Sequence, residues 1–576
     1  MSAPRVRASS AIAFDLVQIF LIGLWMMGGV PFNGHVYFPH GADPRRAALI
    51  LGIIAYFLSP TLRERSFILR ASLQFGQLLT RPMPRAGFFF AVFILAMGLG
   101  ILQTLALRVP LYDVGLFHQV LWSLTHHHAF HSTISGAGNL LWDHFSPSLV
   151  LLAPFFDLSQ SSAFFLPLAH VFLLFLGGAS WVFLAARVPG CSKVFRSHLA
   201  AATAVFFLSF ESLWSNLRWG FHENSIAFAC TSWGLALLLG ERNPKYKKSF
   251  IFLLFLIAAG SKEILLLDSA LLFFFWGYSE WQKSDPTTGL FKNPGRFFSV
   301  LLFFSALLLV SGFCIFASLP LHIERNSFIR TYGYLGETFQ EVSSNLFQSP
   351  LLIFEAVGIG DLAKYGVNVF LPWLFLPLPF FLNCIRRKIS KDPVKGIPFE
   401  SYYALAILPS FISAALATYP ALRNPSEHSV LELWPVLACM TLIALARIQS
   451  IPLVWGWAIL SLLRMDYDPF GALREYGKES QKMQTVRQQI QSYPENISVV
   501  GDDLLGPWVA GRLWVTRWPD LSLLPNRCPD RIVVRNSSSG TLTELGVQQL
   551  LSRCAKSPKA RIPAWRMDEW AEYQTR

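Results

Sequence analysis

The stretch from Leu111 to Phe156 reads LYDVGLFHQVLWSLTHHHAFHSTISGAGNLLWDHFSPSLVLLAPFF and lies between two strongly apolar runs. It gathers acids and histidines in a chain that is 53% hydrophobic and only 14% charged. A bilayer protein keeps ionisable groups beside the membrane only where water or a substrate meets them. The stretch therefore marks a face on which chemistry is expected, and the apolar runs on either side of it mark the membrane.

Composition supports that division. A soluble chain carries about a quarter charged residues, and this one falls far short, with a mean hydropathy of +0.43. The net charge of +13 could suggest a nucleic acid partner. Lys and Arg instead cluster in short loops between apolar runs, as the positive-inside rule requires, and no zinc-finger or recognition-helix pattern accompanies them. The lipid bilayer is the expected partner, and nucleic acid is not. The run from Ala11 to Val30 has basic flanks but no convincing small-residue cleavage site, so it reads as a retained span. None of the 7 cysteines forms a CxxC pair.

Runs of about 20 apolar residues cross the hydrocarbon core. Candidate spans are 11–31, 46–60, 87–107, 162–186, 197–212, 225–240, 249–261, 264–279, 297–319, 366–384, 400–418, 430–447 and 451–464. The fold class is thus an all-α polytopic membrane protein of about 13 transmembrane helices with a small C-terminal α/β extramembrane module. Three parts are expected: 1–86, a helix pair and a cytoplasmic loop; 87–465, the main transmembrane domain; and 466–576, a soluble module, external if the span count is odd. Arg63, Arg65, Arg70, Arg81 and Arg85 mark one cytoplasmic loop; Arg187, Lys193 and Arg196 a second; Arg242, Lys245, Lys247 and Lys248 a third; and Arg386, Arg387 and Lys388 a fourth. All fall on one side only if 145–156, broken by Pro147 and Pro154, does not cross.

The opposite face collects the candidate site residues. Asp113 opens an amphipathic helical pattern, with His118, Gln119 and Ser123 on its polar side, that should lie in the membrane interface. Asp113 reads equally well as a helix cap. Asp143 and His144 could orient a hydroxyl or bind a metal, while a cap for the piece beginning at Ser146 explains the Asp and Pro147. His126 and His128 with Asp143 are candidate ligands for a divalent metal ion, the one cofactor the residues suggest; a polar interfacial patch is the plainer reading. Arg218, Lys262 and Arg325 are candidates to hold a phosphate. His222, Glu223, Tyr332, Tyr334 and Glu337 complete the polar set, the tyrosines as stacking faces for a sugar or as an aromatic belt. Glu263 could simply neutralise Lys262. Cys528 and Cys554 are the only cysteines of the C-terminal module, and the sequence leaves their pairing open.

YDVGLFHQVLWS followed by DHFSPSLVLLAPFF resembles the signature of the bacterial membrane protein family DUF2079; FHEN at 221–224, GSKEI at 260–264, YGYLGETF and SVVGDDLLGPWVAGR resemble its later blocks. That family is grouped by similarity with the GT-C membrane glycosyltransferases. The resemblance implies a GT-C-like fold and transfer of a sugar from a polyprenyl-phosphate donor to a glycan, lipid or protein acceptor at the external face of the bacterial cytoplasmic membrane. It also implies that Asp113 is the acid of the first external loop. His118 stands where an acid is common, and Ile264 replaces an acid after Lys262 and Glu263. The rival expectations are a transporter or flippase of lipid-linked saccharide, and a non-catalytic scaffold.

Overall fold

The computed structural model describes residues 67–134, 138–142, 144–217, 220–240, 247–285, 287, 289–318, 331–336, 339–349, 351–380, 400–417, 423, 431–464, 469–502, 505–512, 514–517, 528–535, 544–554, 565–567 and 570–575, together with a hairpin pairing Val30–Phe32 with His35–Tyr37. The predicted spans at 11–31 and 46–60 otherwise lie outside the described residues, as do Asp143, Arg218, Arg325 and Glu337.

The protein is an all-helical multi-pass membrane protein with a small α/β module at its C-terminal end. Pro82–Leu105, Phe165–Ala185, Glu263–Lys283 and Pro294–Ala317 are long and apolar enough to cross a bilayer, and Asn224–Leu239, Trp434–Ile448 and Ile451–Ser461 are shorter apolar helices. The first carries Pro82 at its start, where a missing N–H costs nothing. Exposed Phe90, Phe172, Phe304, Leu307 and Ile315 face outward, as lipid-facing side chains do. Inside, helices approach closely at Gly177 and Gly178. A Cβ there would stand 2.2 Å from the Phe228 ring and 1.8 Å from that of Phe207, so only glycine lets three helices meet.

Two predicted spans are not continuous helices. Within 366–384, the helix Ile359–Phe370 gives way to a 3-10 turn at Leu371–Trp373, and Leu374 and Phe375 take positive φ. Within 400–418, a 3-10 turn at Ala404–Ile407 precedes the helix Leu408–Leu416. The cause is proline: Pro372 and Pro377 in the first, and Pro409 in the second, remove N–H donors from the ladder.

The two ends of the bundle differ in charge. Arg85 and Arg187 both stand over the Phe183 ring, at 5.3 Å and 4.2 Å, and Arg187 lies close enough to repel both Arg85 and Lys247. Three of the predicted cytoplasmic loops, represented by Arg85, Arg187 and Lys247, thus meet at one end, while Arg386, Arg387 and Lys388 lie outside the described residues. At the other, the C-terminal module docks on the first loop. Its five-stranded sheet runs Val515–Arg517, Val499–Gly501, Arg531–Arg535, Trp570–Gln574, Trp565–Met567; the first two pairings are parallel and the last two antiparallel. Trp508 Nε1 donates to the Thr104 carbonyl at 2.9 Å and Arg487 to that of Leu105, so the module supplies the donors that the end of Pro82–Leu105 lacks. Arg108 grips Glu479 with two hydrogen bonds. Cys528 and Cys554, 26 residues apart, are joined by a disulfide.

The docking changes one expectation. The helix Leu116–Thr125 does not lie in the interface with a wet polar side; it is buried from Leu116 to Ser123. Gln119 donates to Thr133 and to the Arg512 carbonyl at 3.0 Å and accepts from Ser132 and Thr133. Gln119 is thus matched by protein groups of the loop and the module, while His118 Nδ1 and Ser123 Oγ are buried without a hydrogen-bond partner among the described residues.

Candidate functional site

The site is built where two helices nearly meet end to end. Lys247–Ala259 stops, Gly260-Ser261-Lys262 makes a turn, and Glu263–Lys283 begins. The Ser146–Ser148 part of the first loop closes over that turn. Ser148 donates its N–H to the Gly260 carbonyl at 2.8 Å and its Oγ to that of Ile257, while Ser146 Oγ donates to Ser261 O at 3.0 Å. Gly260 is required for this approach, since a Cβ there would stand 2.7 Å from Ser148 Oγ. The Phe145 N–H donates to Glu263 Oε2 at 3.3 Å. The segments 145–148 and 260–263, more than a hundred residues apart in sequence, are therefore one structure.

Lys262 lies at the N-terminus of its helix, where the dipole disfavours a cation, and its side chain is only 15% exposed. Its partner is not Glu263 but Glu432, 2% exposed, with Nζ to Oε1 at 3.0 Å. Burial works against the ammonium, but Glu432, Glu223 and Glu263 together outweigh it and raise the Lys262 pKa, so the group is charged. Glu432 Oε2 in turn lies 2.8 Å from Ser410 Oγ, which lies 2.5 Å from Asp268 Oδ2; the Ser410 N–H donates to Asp268 Oδ1 at 3.2 Å. Asp268 and Glu432 are thus joined through one hydroxyl.

His222 flanks this group. Its Nδ1 stands 2.7 Å from the wholly buried Glu223 Oε2. Burial first, then the nearby Lys262 charge, lowers its pKa well below the ordinary value and keeps the ring neutral. His144 is also near enough to His222 to act on it electrostatically. The ring of Phe117 meets His222 edge-on at 5.6 Å, which connects the site to the helix that follows Asp113. Asp113 is half-buried in the turn Leu111–Gly115. The amides of Val114 and Gly115 bond the Pro110 carbonyl and that of Leu116 bonds Asp113 and Leu111 carbonyls, so Asp113 stands inside the first turn and not at its cap.

Of the remaining candidates, Tyr332 stands at the edge of this group and the others stand elsewhere. Tyr332 OH donates to the Ser413 carbonyl at 3.0 Å and Tyr334 OH to that of Leu416 at 2.9 Å, which ties their loop to the end of the helix Leu408–Leu416. Tyr332 is close enough to Lys262, Glu263 and Glu432 to feel their charges. His118 is 1% exposed, packed edge-on to Phe156 at 4.8 Å, and burial pushes its pKa down to about 3; it is a neutral core histidine under the module. His126 and His128 are exposed and stack on Trp122 at 4.2 Å and 6.4 Å. Among the described residues no three His, Cys, Asp or Glu side chains come together as a metal set. Sequence reasoning did not single out Asp268, Ser410 or Glu432; the signal was a lone acid inside the apolar run LLLDSALL.

Two solved structures are similar in overall arrangement. ArnT from Cupriavidus metallidurans bound to undecaprenyl phosphate is 12% identical, with 86% of this chain and 99% of that chain covered and a TM-score of 0.46. The same protein in the apo state is 12% identical, with 86% and 98% covered and a TM-score of 0.37. Neither value is high enough to carry residues from one chain to the other. No curated protein matches the sequence significantly. Residues 103–535 of the 576 match the family model described as predicted membrane protein (DUF2079), from before Asp113 to the end of the strand Arg531–Arg535, and the chain belongs to that family.

Proposed function

We propose that this protein is an integral-membrane glycosyltransferase of GT-C type, moving a sugar from a polyprenyl-phosphate-linked donor to an acceptor at the external face of the bacterial cytoplasmic membrane. The observation that carries the reading is the buried, charged Lys262 held among Glu432, Glu223 and Glu263 on the side of the bundle that bears the first loop and the module. The Cys528–Cys554 disulfide supports an oxidising compartment for that side. In this reading Asp113 removes or orients the acceptor hydroxyl proton, with Asp143 and His144 assisting. Lys262 exchanges Glu432 for the donor phosphate, and Arg218 and Arg325 share the charge that develops on the leaving group.

A second reading rests on one observation. Asp268 lies within a span and is coupled to Glu432 through Ser410, an arrangement that also suits a proton-coupled transporter of lipid-linked saccharide. Binding tests the first reading's donor. Purified protein in micelles is expected to retain a polyprenyl phosphate and not the matching polyprenol, as read by native mass spectrometry. Equal retention of both, or of neither, refutes a phosphate site. Movement of a lipid-linked saccharide across a vesicle membrane without transfer favours the second reading.

A further inference from the structure

The network behind Lys262 contains more acceptors than protons. Ser410 Oγ lies within hydrogen-bond distance of Asp268 Oδ2 and of Glu432 Oε2, at 2.5 Å and 2.8 Å. A hydroxyl carries one hydrogen and can donate to only one of two carboxylates. If both were ionised, the second would face the serine oxygen lone pairs at contact distance, in a site where Asp268 and Glu432 are both buried. One carboxyl must therefore hold a proton. Glu432 has an ammonium 3.0 Å away, and no cation pairs with Asp268 among the described residues.

We infer that Asp268 is a stored carboxylic acid: its Oδ2–H donates to Ser410 Oγ, the Ser410 O–H donates to Glu432 Oε2, and Glu432 is thereby held anionic against Lys262. The hydrogens balance without a further group. Asp268 Oδ1 accepts the Ser410 N–H, Ser410 Oγ donates once and accepts once, and Glu432 Oε1 accepts from Lys262 Nζ. The charged and titratable groups that face the relay are Lys262 and Glu263 at the helix start, Glu223 and His222 beside them, and Tyr332 and Tyr365 on the other side. With three carboxylates already around one ammonium, a fourth negative charge at Asp268 would draw Lys262 inward and away from the outer face. Asp268 is a positioning residue for Lys262, and its proton keeps Lys262 available at the outer end. The consequence for sugar transfer rests on the proposed function; the stored proton does not.

Three readouts test it. Difference infrared spectra at neutral pH should contain a protonated-carboxyl band that moves with isotope-labelled aspartate and is lost in Asp268→Asn. The absence of that band, or its persistence in Asp268→Asn, overturns the assignment. Asn has the shape and the donor of the neutral acid, so Asp268→Asn should leave Tm unshifted while Glu432→Gln lowers it. The reverse order of the two variants places the proton on Glu432, and a misfolded Asp268→Asn shows that a neutral group is not tolerated at 268; either contradicts us. Wild-type sugar transfer should be lost toward alkaline pH as Asp268 ionises, with that loss absent in Asp268→Asn; a role in structure alone would leave the two profiles superimposed. If no sugar is transferred at any pH, the proposed function fails while the band and the Tm order still decide the stored proton.

Discussion

The pair Lys262–Glu432 gives the sharpest energetic expectation. At 3.0 Å, with 15% and 2% exposure, its attraction at an effective dielectric near 20 is about 5 kcal/mol. Removing one partner of such a buried pair typically costs about 3–5 kcal/mol, because the other charge is left without compensation. The two losses should be unequal. In Glu432→Gln the ammonium keeps Glu223 and Glu263, so the cost should fall near 3 kcal/mol, whereas Lys262→Met leaves three carboxylates facing one another and should cost about 5 kcal/mol. The double variant should cost less than the sum of the singles by about 1–3 kcal/mol. Equilibrium unfolding in mixed micelles measures all four corners of the cycle. Additivity within about 0.5 kcal/mol, or a larger loss in Glu432→Gln than in Lys262→Met, refutes the claim that this pair organises the site.

Three further outcomes follow from other contacts. His118 has a folded pKa near 3 against an ordinary value near 6.5, so the unfolded chain binds the extra proton between those limits and stability falls as pH drops; at pH 5 this amounts to about 2 kcal/mol, and unfolding at pH 7 and pH 5 should show a shallower slope in His118→Leu than in the wild type. The Cys528→Ser, Cys554→Ser variant should lose about 3 kcal/mol of module stability, as its 26-residue separation implies, and an unchanged mobility on reducing gels in the wild type would argue that the bond does not form. In cells, a membrane-impermeant thiol reagent should modify His128→Cys, on the first loop, and not Gln282→Cys, at the opposite end of Glu263–Lys283; the reverse pattern inverts the topology.

The membrane class and four of the spans were legible because hydropathy over a long run is a local property. The runs at 87–107, 162–186, 264–279 and 297–319 correspond to the long apolar helices. Averaging also hid what breaks a helix, and Pro372, Pro377 and Pro409 divided two runs that read as continuous. His144, His222, Glu223, Lys262 and Tyr332 could be selected because each interrupts an apolar setting, and they do gather around one turn. Glu432 escaped because it sits at the edge of the apolar run 430–447, and Asp268 because it falls inside the run 264–279, which reads whole as a span. The polar stripe of Leu116–Thr125 could not reveal its own covering. Whether Gln119 meets water or Arg512 depends on a contact nearly four hundred residues away. The same holds for His118, which reads as a substrate contact on a helical wheel and is a core residue beneath the module.

Transfer itself is the most direct test of the central claim. Purified protein reconstituted in vesicles is assayed against a panel of polyprenyl-phosphate-linked sugars, wild type beside Asp113→Asn. Asn preserves the shape of a residue that lies inside the turn Leu111–Gly115 and cannot accept the hydroxyl proton. The account predicts transfer by the wild type, and in Asp113→Asn a loss of about 10²–10⁴-fold with unchanged unfolding. Transfer at the wild-type rate with Asn at position 113, or no transfer by the wild type from any donor in the panel, would contradict it.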